Sequence, residues 1–249
     1  ITHGHHCGYV SPIPQIRFDD TLTASDFRLF IEAISNDIVQ WEKIESIMQD
    51  GGVTYADKHI LTRHTPEVVE ETLGLKFISG ANLCINLTDP TRVFPFHNPP
   101  GARGEDTFLA TCLGNRSVLR IPTYSFHDGF STYQCLLDGV LPIRLKQIHA
   151  DHPDVANRFF KACIGWIRYK PLLLKITRPA EFDGLITSIR DNLTRSLPTL
   201  CEYFKQPGFM EVLSEFEKFA RRSDRHLADF ERTRFAWAKL MEHLRASRN

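Results

Sequence analysis

The 249-residue sequence has no excess of either charge: lysine and arginine total 30, and aspartate and glutamate total 30. That balance removes the global field that would draw the chain to nucleic acid or to an anionic membrane surface. No apolar run is long enough to cross a bilayer, and no targeting segment is recognisable. The six cysteines, at 7, 84, 112, 135, 163 and 201, form no CxxC pair and stand singly, mostly inside apolar patterns. They are expected to be reduced core thiols of an intracellular protein. There is no initiator methionine. The chain opens on Ile1 and runs at once into Ile-Thr-His-Gly-His-His-Cys-Gly-Tyr-Val, which reads as the middle of a domain, so a fragment is expected.

What is present is enough for a sizeable core. Hydrophobic residues make up 42% of the chain, sufficient for one large domain or a domain with an appendage. The first ten residues read as a strand carrying His3, His5 and His6, without the acids or cysteines that a recognised zinc spacing requires. Ser11-Pro12-Ile13-Pro14 stops it, and Asp19-Asp20 lies in the connection that follows. Apolar residues at steps of three and four, from Phe27 to Ile47, predict an amphipathic helix from Thr23 or Ser25 to about Gln49. A break is expected near Ser35-Asn36 and an end at Gly51-Gly52. His59 and His64 read as exposed loop residues. Thr65-Pro66-Glu67 predicts a short helix closed by Gly74. Residues 75–87 are β-rich but interrupted at Ser79-Gly80-Ala81-Asn82, where a bulge or a ligand's close approach to the backbone is expected.

The chemistry is expected between Phe94 and Asp128. Two prolines and two glycines between Asn98 and Gly104 forbid regular structure and bend the chain into a loop. That loop delivers Glu105 and Asp106 to the start of a helix carrying Phe108, Leu109, Cys112 and Leu113 and ending at Gly114-Asn115. An acidic pair there is ordinarily a cap. Its rigid approach, the neighbouring Arg103 and a second polar cluster one strand later favour a functional role. That strand runs over 117–126 and ends at His127-Asp128. Residues 131–150 are mixed, with a turn at Asp138-Gly139.

Beyond Pro153 the chain turns helical. One helix is expected through Leu172, a second from Pro179 to Phe204 interrupted by Pro198, and a third from about Phe209 to Leu244. The aromatic stripe of this part reads as packing. Arg221, Arg222 and Arg225 read as a solvated face.

Taken together, Ser79-Gly-Ala-Asn-Leu-Cys-Ile-Asn, Asn98-Pro-Pro-Gly-Ala-Arg-Gly-Glu-Asp-Thr and Phe126-His127-Asp128 resemble the second half of an inverting GT-A glycosyltransferase of the family 2 kind. The resemblance covers roughly residues 1–130 and is most specific at Gly-Glu-Asp and its distance from the following histidine. It implies an α/β fold, a partial GT-A-type mixed sheet with flanking helices over 1–150, followed by an α-helical region over 151–249. It also implies Asp106 as catalytic base, Glu105 orienting the acceptor, and Gly80, Ala81 and Asn82 beside the donor sugar. Arg103 and Gly104 fall on the substrate loop, with Arg103 pairing a phosphate or an acceptor carboxylate. His127 would be the ligand of a divalent ion, Mn²⁺ or Mg²⁺.

The partners implied are a nucleotide-sugar donor and a glycan, glycolipid or protein acceptor, in a cytoplasmic setting. The family's nucleotide-binding half, ending in Asp-x-Asp, has no counterpart in the sequence, and Asp19-Asp20 has the wrong spacing. This stretch alone is therefore expected to bind sugar nucleotide weakly and to turn over little. The alternative expectation is a catalytically silent glycosyltransferase-like interaction module. A metal hydrolase built on the eleven histidines is a third, though their spacing forms no compact ligand set.

Overall fold

A computed structural model describes residues 1–10, 13–36, 41–42, 44–45, 54–56, 62, 64–89, 93–127 and 149–247. Gly51-Gly52, His59, Asp128 and the Asp138-Gly139 turn lie outside them, as do the side chains of His5, His6, Ala81 and His127.

The fold is mixed α/β. Its sheet is built on two nine-residue strands, β1 (Thr2–Val10) and, far along the chain, Leu119–His127, which pair in parallel. The register slips between Gly4 and His5, where the partner strand carries Pro122 and Thr123. A proline inside a central strand needs such an irregularity, because it has no N–H for the ladder. β2 (Thr54–Ala56) pairs antiparallel with the end of β1. β3 (Glu67–Val68) pairs antiparallel with the start of Leu119–His127. β4 (Glu71–Thr72) and β5 (Leu75–Lys76) form a separate hairpin, and β6 (Leu83–Cys84) pairs with the start of β1. Leu119–His127 is β7.

Six helices are described. α1 (Ala24–Ile34) is capped by Thr23, whose hydroxyl accepts from Asp26 N–H, and it buries Phe27, Phe30, Ile31 and Ile34. It stops at Ser35, as expected, and residues 41–42 and 44–45 are again helical. α2 (Glu105–Thr111) is the acidic helix. α3 (Pro153–Thr177) starts with proline at its first position, and α4 (Phe182–Tyr203), α5 (Glu211–Arg221) and α6 (Ser223–Ala246) follow. No described helix is long and apolar enough to cross a membrane.

Four expectations fail, each for a local reason. The helix expected from Pro66 to Gly74 is the β3 strand and the β4–β5 hairpin. Val68, Val69 and Thr72 are β-branched, and Leu73 and Gly74 take φ of 50° and 76°, the positive pair of a type I′ hairpin turn. Pro198 does not interrupt its helix. α4 runs through it while the Ser196 and Thr194 hydroxyls bond back to the carbonyls of Asn192 and Arg190. The single third helix is two, α5 and α6, broken at Arg222 with φ −103° and ψ 7° and with no glycine or proline there to signal it. Cys84 is exposed, because the two-residue β6 turns Leu83 inward and Cys84 outward; Cys163 is buried, and Cys112 and Cys201 are half-buried.

Two cores hold the molecule together. The first joins Phe27, Phe30 and Ile34 of α1 to Phe159 and Cys163 of α3, Leu193 and Leu197 of α4, Phe209, and Phe216 of α5. The second joins Leu75, Ile78, Phe108, Leu109 and Val118 to Tyr169, Leu172 and Leu173 of α3 and Phe230 of α6. Both combine residues from before and after position 150, and α3 runs through both.

Candidate functional site

The loop before α2 is fixed from several sides. Ala102 N–H closes a turn onto the Pro99 carbonyl at 3.0 Å, and Gly101 takes φ 70°. The side chain of Asn98 bridges the loop: its Oδ1 accepts from Gly104 N–H at 2.9 Å and its Nδ2 donates to Glu105 Oε2 at 2.6 Å. Gly104 must be glycine. A Cβ there would lie 2.7 Å from Cδ1 of Tyr169, so the backbone rests directly on that buried ring. α3 grips the loop twice more. Arg103 N–H donates to the Gly165 carbonyl at 3.1 Å, and Arg168 Nη1 donates to the Gly101 carbonyl at 3.1 Å. Arg168 is itself held by Glu215 of α5 at 2.5 Å.

This scaffold places Asp106 against the Ser79–Asn82 segment, which forms a 3-10 turn where the sequence left a bulge or a ligand contact open. A Cβ on Gly80 would sit 3.2 Å from Asp106 Cβ and 3.3 Å from its Oδ2. Two expected site positions 26 residues apart in sequence are therefore in contact. Asn82, further along the turn, packs against β1. A Cβ at Gly4 would lie 2.0 Å from Asn82 Nδ2, so Gly4 leaves room for that amide.

Burial pushes the Asp106 carboxyl above its ordinary pKa. The Glu105 charge acts in the same direction, while N–H groups of Thr107 and Gly80 act against it; Thr107 N–H donates to Oδ1 at 2.8 Å. Desolvation thus outweighs the backbone donors.

A cleft of about 170 Å³ opens on Asp106. Arg103, Asn36, Phe77, Trp166 and Tyr169 share its wall. Glu105 is exposed and hydrogen-bonded to Asn98, and it is not part of that wall. Asn36 is brought there by the end of α1, where the buried Lys170 of α3 donates from Nζ to the Ser35 carbonyl at 2.5 Å. That cation also suits the negative end of the α1 dipole. Trp166, Tyr169, Phe77 and Asn36 were not legible as site residues. The available signal was Gly165, a glycine in the interior of a long helix with no turn to make.

His127 ends β7 as expected. Among the described residues no three histidine, cysteine or acidic side chains converge on a point, and the side chain of His127, the expected metal ligand, lies outside them. The chain matches no family model, no curated protein and no solved structure.

Proposed function

We propose that this chain forms the acceptor side of an inverting, sugar-nucleotide-dependent glycosyltransferase, with Asp106 as the general base. One observation carries the reading: a half-buried carboxylate of raised proton affinity, seated against the Gly80 turn, opens on a small polar and aromatic cleft. A general base works best when its pKa approaches the working pH, and burial moves Asp106 that way.

The step balances simply. An acceptor hydroxyl in the cleft passes its proton to an Asp106 carboxylate oxygen as its oxygen bonds to the anomeric carbon. The anomeric C–O bond to the diphosphate breaks on the opposite face, its electron pair leaving with the diphosphate, and the configuration inverts. Gly80 N–H and Thr107 N–H orient the carboxylate. Tyr169 and the Asn98 bridge hold the loop so that Asp106 does not have to be reordered on binding.

The test is release of nucleoside diphosphate from a panel of UDP- and GDP-sugars by the full-length protein, with and without sugar acceptors. Acceptor-stimulated release that Asp106→Asn lowers by about 10²–10⁴-fold supports the assignment. A fully folded wild type that releases none from any donor favours the silent interaction module.

A further inference from the structure

The cleft also carries information about what is accepted, and the inference below rests on the acceptor-side reading. We propose that the acceptor is an anionic sugar, its ring lying on the indole of Trp166, its hydroxyl facing Asp106, and its carboxylate or phosphate held by Arg103.

Gly165 stands in the interior of α3. A glycine in a helix interior costs about 1 kcal/mol relative to alanine. A Cβ at that position would lie 2.5 Å from both Cγ and Cδ of Arg103. The missing side chain is therefore the seat of the Arg103 stem, and the backbone bond from Arg103 N–H to the Gly165 carbonyl fixes the same place. Arg103 is exposed, and it lines the cleft together with Asp106.

Its charge is not used within the described part of the protein. Among the described residues Arg103 has no carboxylate partner. Neighbouring arginines differ. Arg168 is committed to Glu215 and the Gly101 carbonyl, while Arg116 and Arg120 lie over the rings of Phe94 and Phe77. A guanidinium fork presented without an anion suits a planar carboxylate or a phosphate.

The remaining wall suits a sugar ring. Trp166 is partly buried where the two cores meet, so its indole is held as a flat apolar surface. At about 170 Å³ the cleft is smaller than the ~300–1,000 Å³ of sites for drug-sized ligands, leaving room for one ring and not for a nucleotide.

The test is binding of three probes to the full-length protein by ligand-observed NMR: methyl β-D-glucuronide, glucose 6-phosphate and methyl β-D-glucoside. At least one anionic probe should bind about 10- to 100-fold more tightly than the neutral glucoside. Arg103→Met, which keeps a stem over Gly165, should lower anionic affinity to that of the glucoside, whereas Trp166→Ala should weaken all three. Glucuronide preference identifies a carboxylate acceptor and glucose 6-phosphate preference a phosphosugar. Equal affinities in the wild type, no binding of any probe, preference surviving Arg103→Met, or inorganic phosphate competing as well as glucose 6-phosphate would each overturn the proposal. The enzyme reading fails separately. Asp106→Asn should keep the anionic preference, so binding without turnover removes the transferase and leaves this inference, while turnover on neutral acceptors alone does the reverse.

Discussion

The helix Pro153–Thr177 serves two cores that enclose different things. Its first half sets Phe159 among Phe27, Phe30, Phe204 and Phe209, with ring centroids 6.2, 6.2, 5.5 and 5.8 Å away. Its second half sets Tyr169 against Phe108, and on the rim of that packing stand Asp106 and Arg103. The first core excludes charge and contributes stability. The second is held by glycine contacts, Gly104 on Tyr169 and Gly165 beneath Arg103, that trade side-chain packing for placement. One helix can supply both because its two halves answer to different neighbours.

Mutations in the two halves should therefore separate stability from site function. Phe159→Ala should have the largest stability effect, a loss of about 3–5 kcal/mol in thermal or denaturant unfolding. The folded fraction should still bind the anionic probe normally; a parallel loss of affinity would break the distinction between the cores. Gly104→Ala places a methyl 2.7 Å from the Tyr169 ring. It should cost about 1–3 kcal/mol and weaken probe binding as well, since the same contact positions the loop.

Gly165→Ala sharpens the comparison further. The helix gains up to about 1 kcal/mol from the better helix former while the Arg103 stem is displaced. Melting should change little and the anionic preference should disappear.

The smallest effect is expected at Glu215. Burial pushes its pKa up, but hydrogen bonds and charges from Lys218 and Arg168 outweigh that and hold it below the ordinary value. A depressed carboxylate adds stability that is present above its unfolded pKa and is lost as pH falls through the folded one. Glu215→Gln should slightly lower stability near neutral pH and flatten the acid side of the stability curve.

Much of this arrangement was legible where one signal dominated. The three- and four-residue steps after Phe27 mark α1, and the Gly-Glu-Asp start marks α2. The β-rich run after Ser117 marks β7. Legibility failed where two signals conflicted or where none existed. Thr65-Pro66-Glu67 imitates a helix start, and only the β-branched run and Gly74 argue for the hairpin found there. The break at Arg222 has no punctuating residue. Gly80 and Asp106 were each legible as candidate site positions, but their contact was not, and the wall supplied by Trp166 and Tyr169 comes from α3, far along the chain. Helical periodicity says which face of α3 is buried. It does not say against what.

The measurement that bears most directly on the account is melting temperature and turnover of Asp106→Asn on one preparation. Because burial raises the carboxyl's pKa in the folded state, the native protein binds more protons than the unfolded chain across that window. Stability therefore falls as pH rises from the unfolded pKa through the folded one. Removing the charge should raise the melting temperature at neutral pH while turnover falls by orders of magnitude, the pattern of a functional carboxylate kept at a cost to the fold. Unchanged turnover in Asp106→Asn would contradict the account.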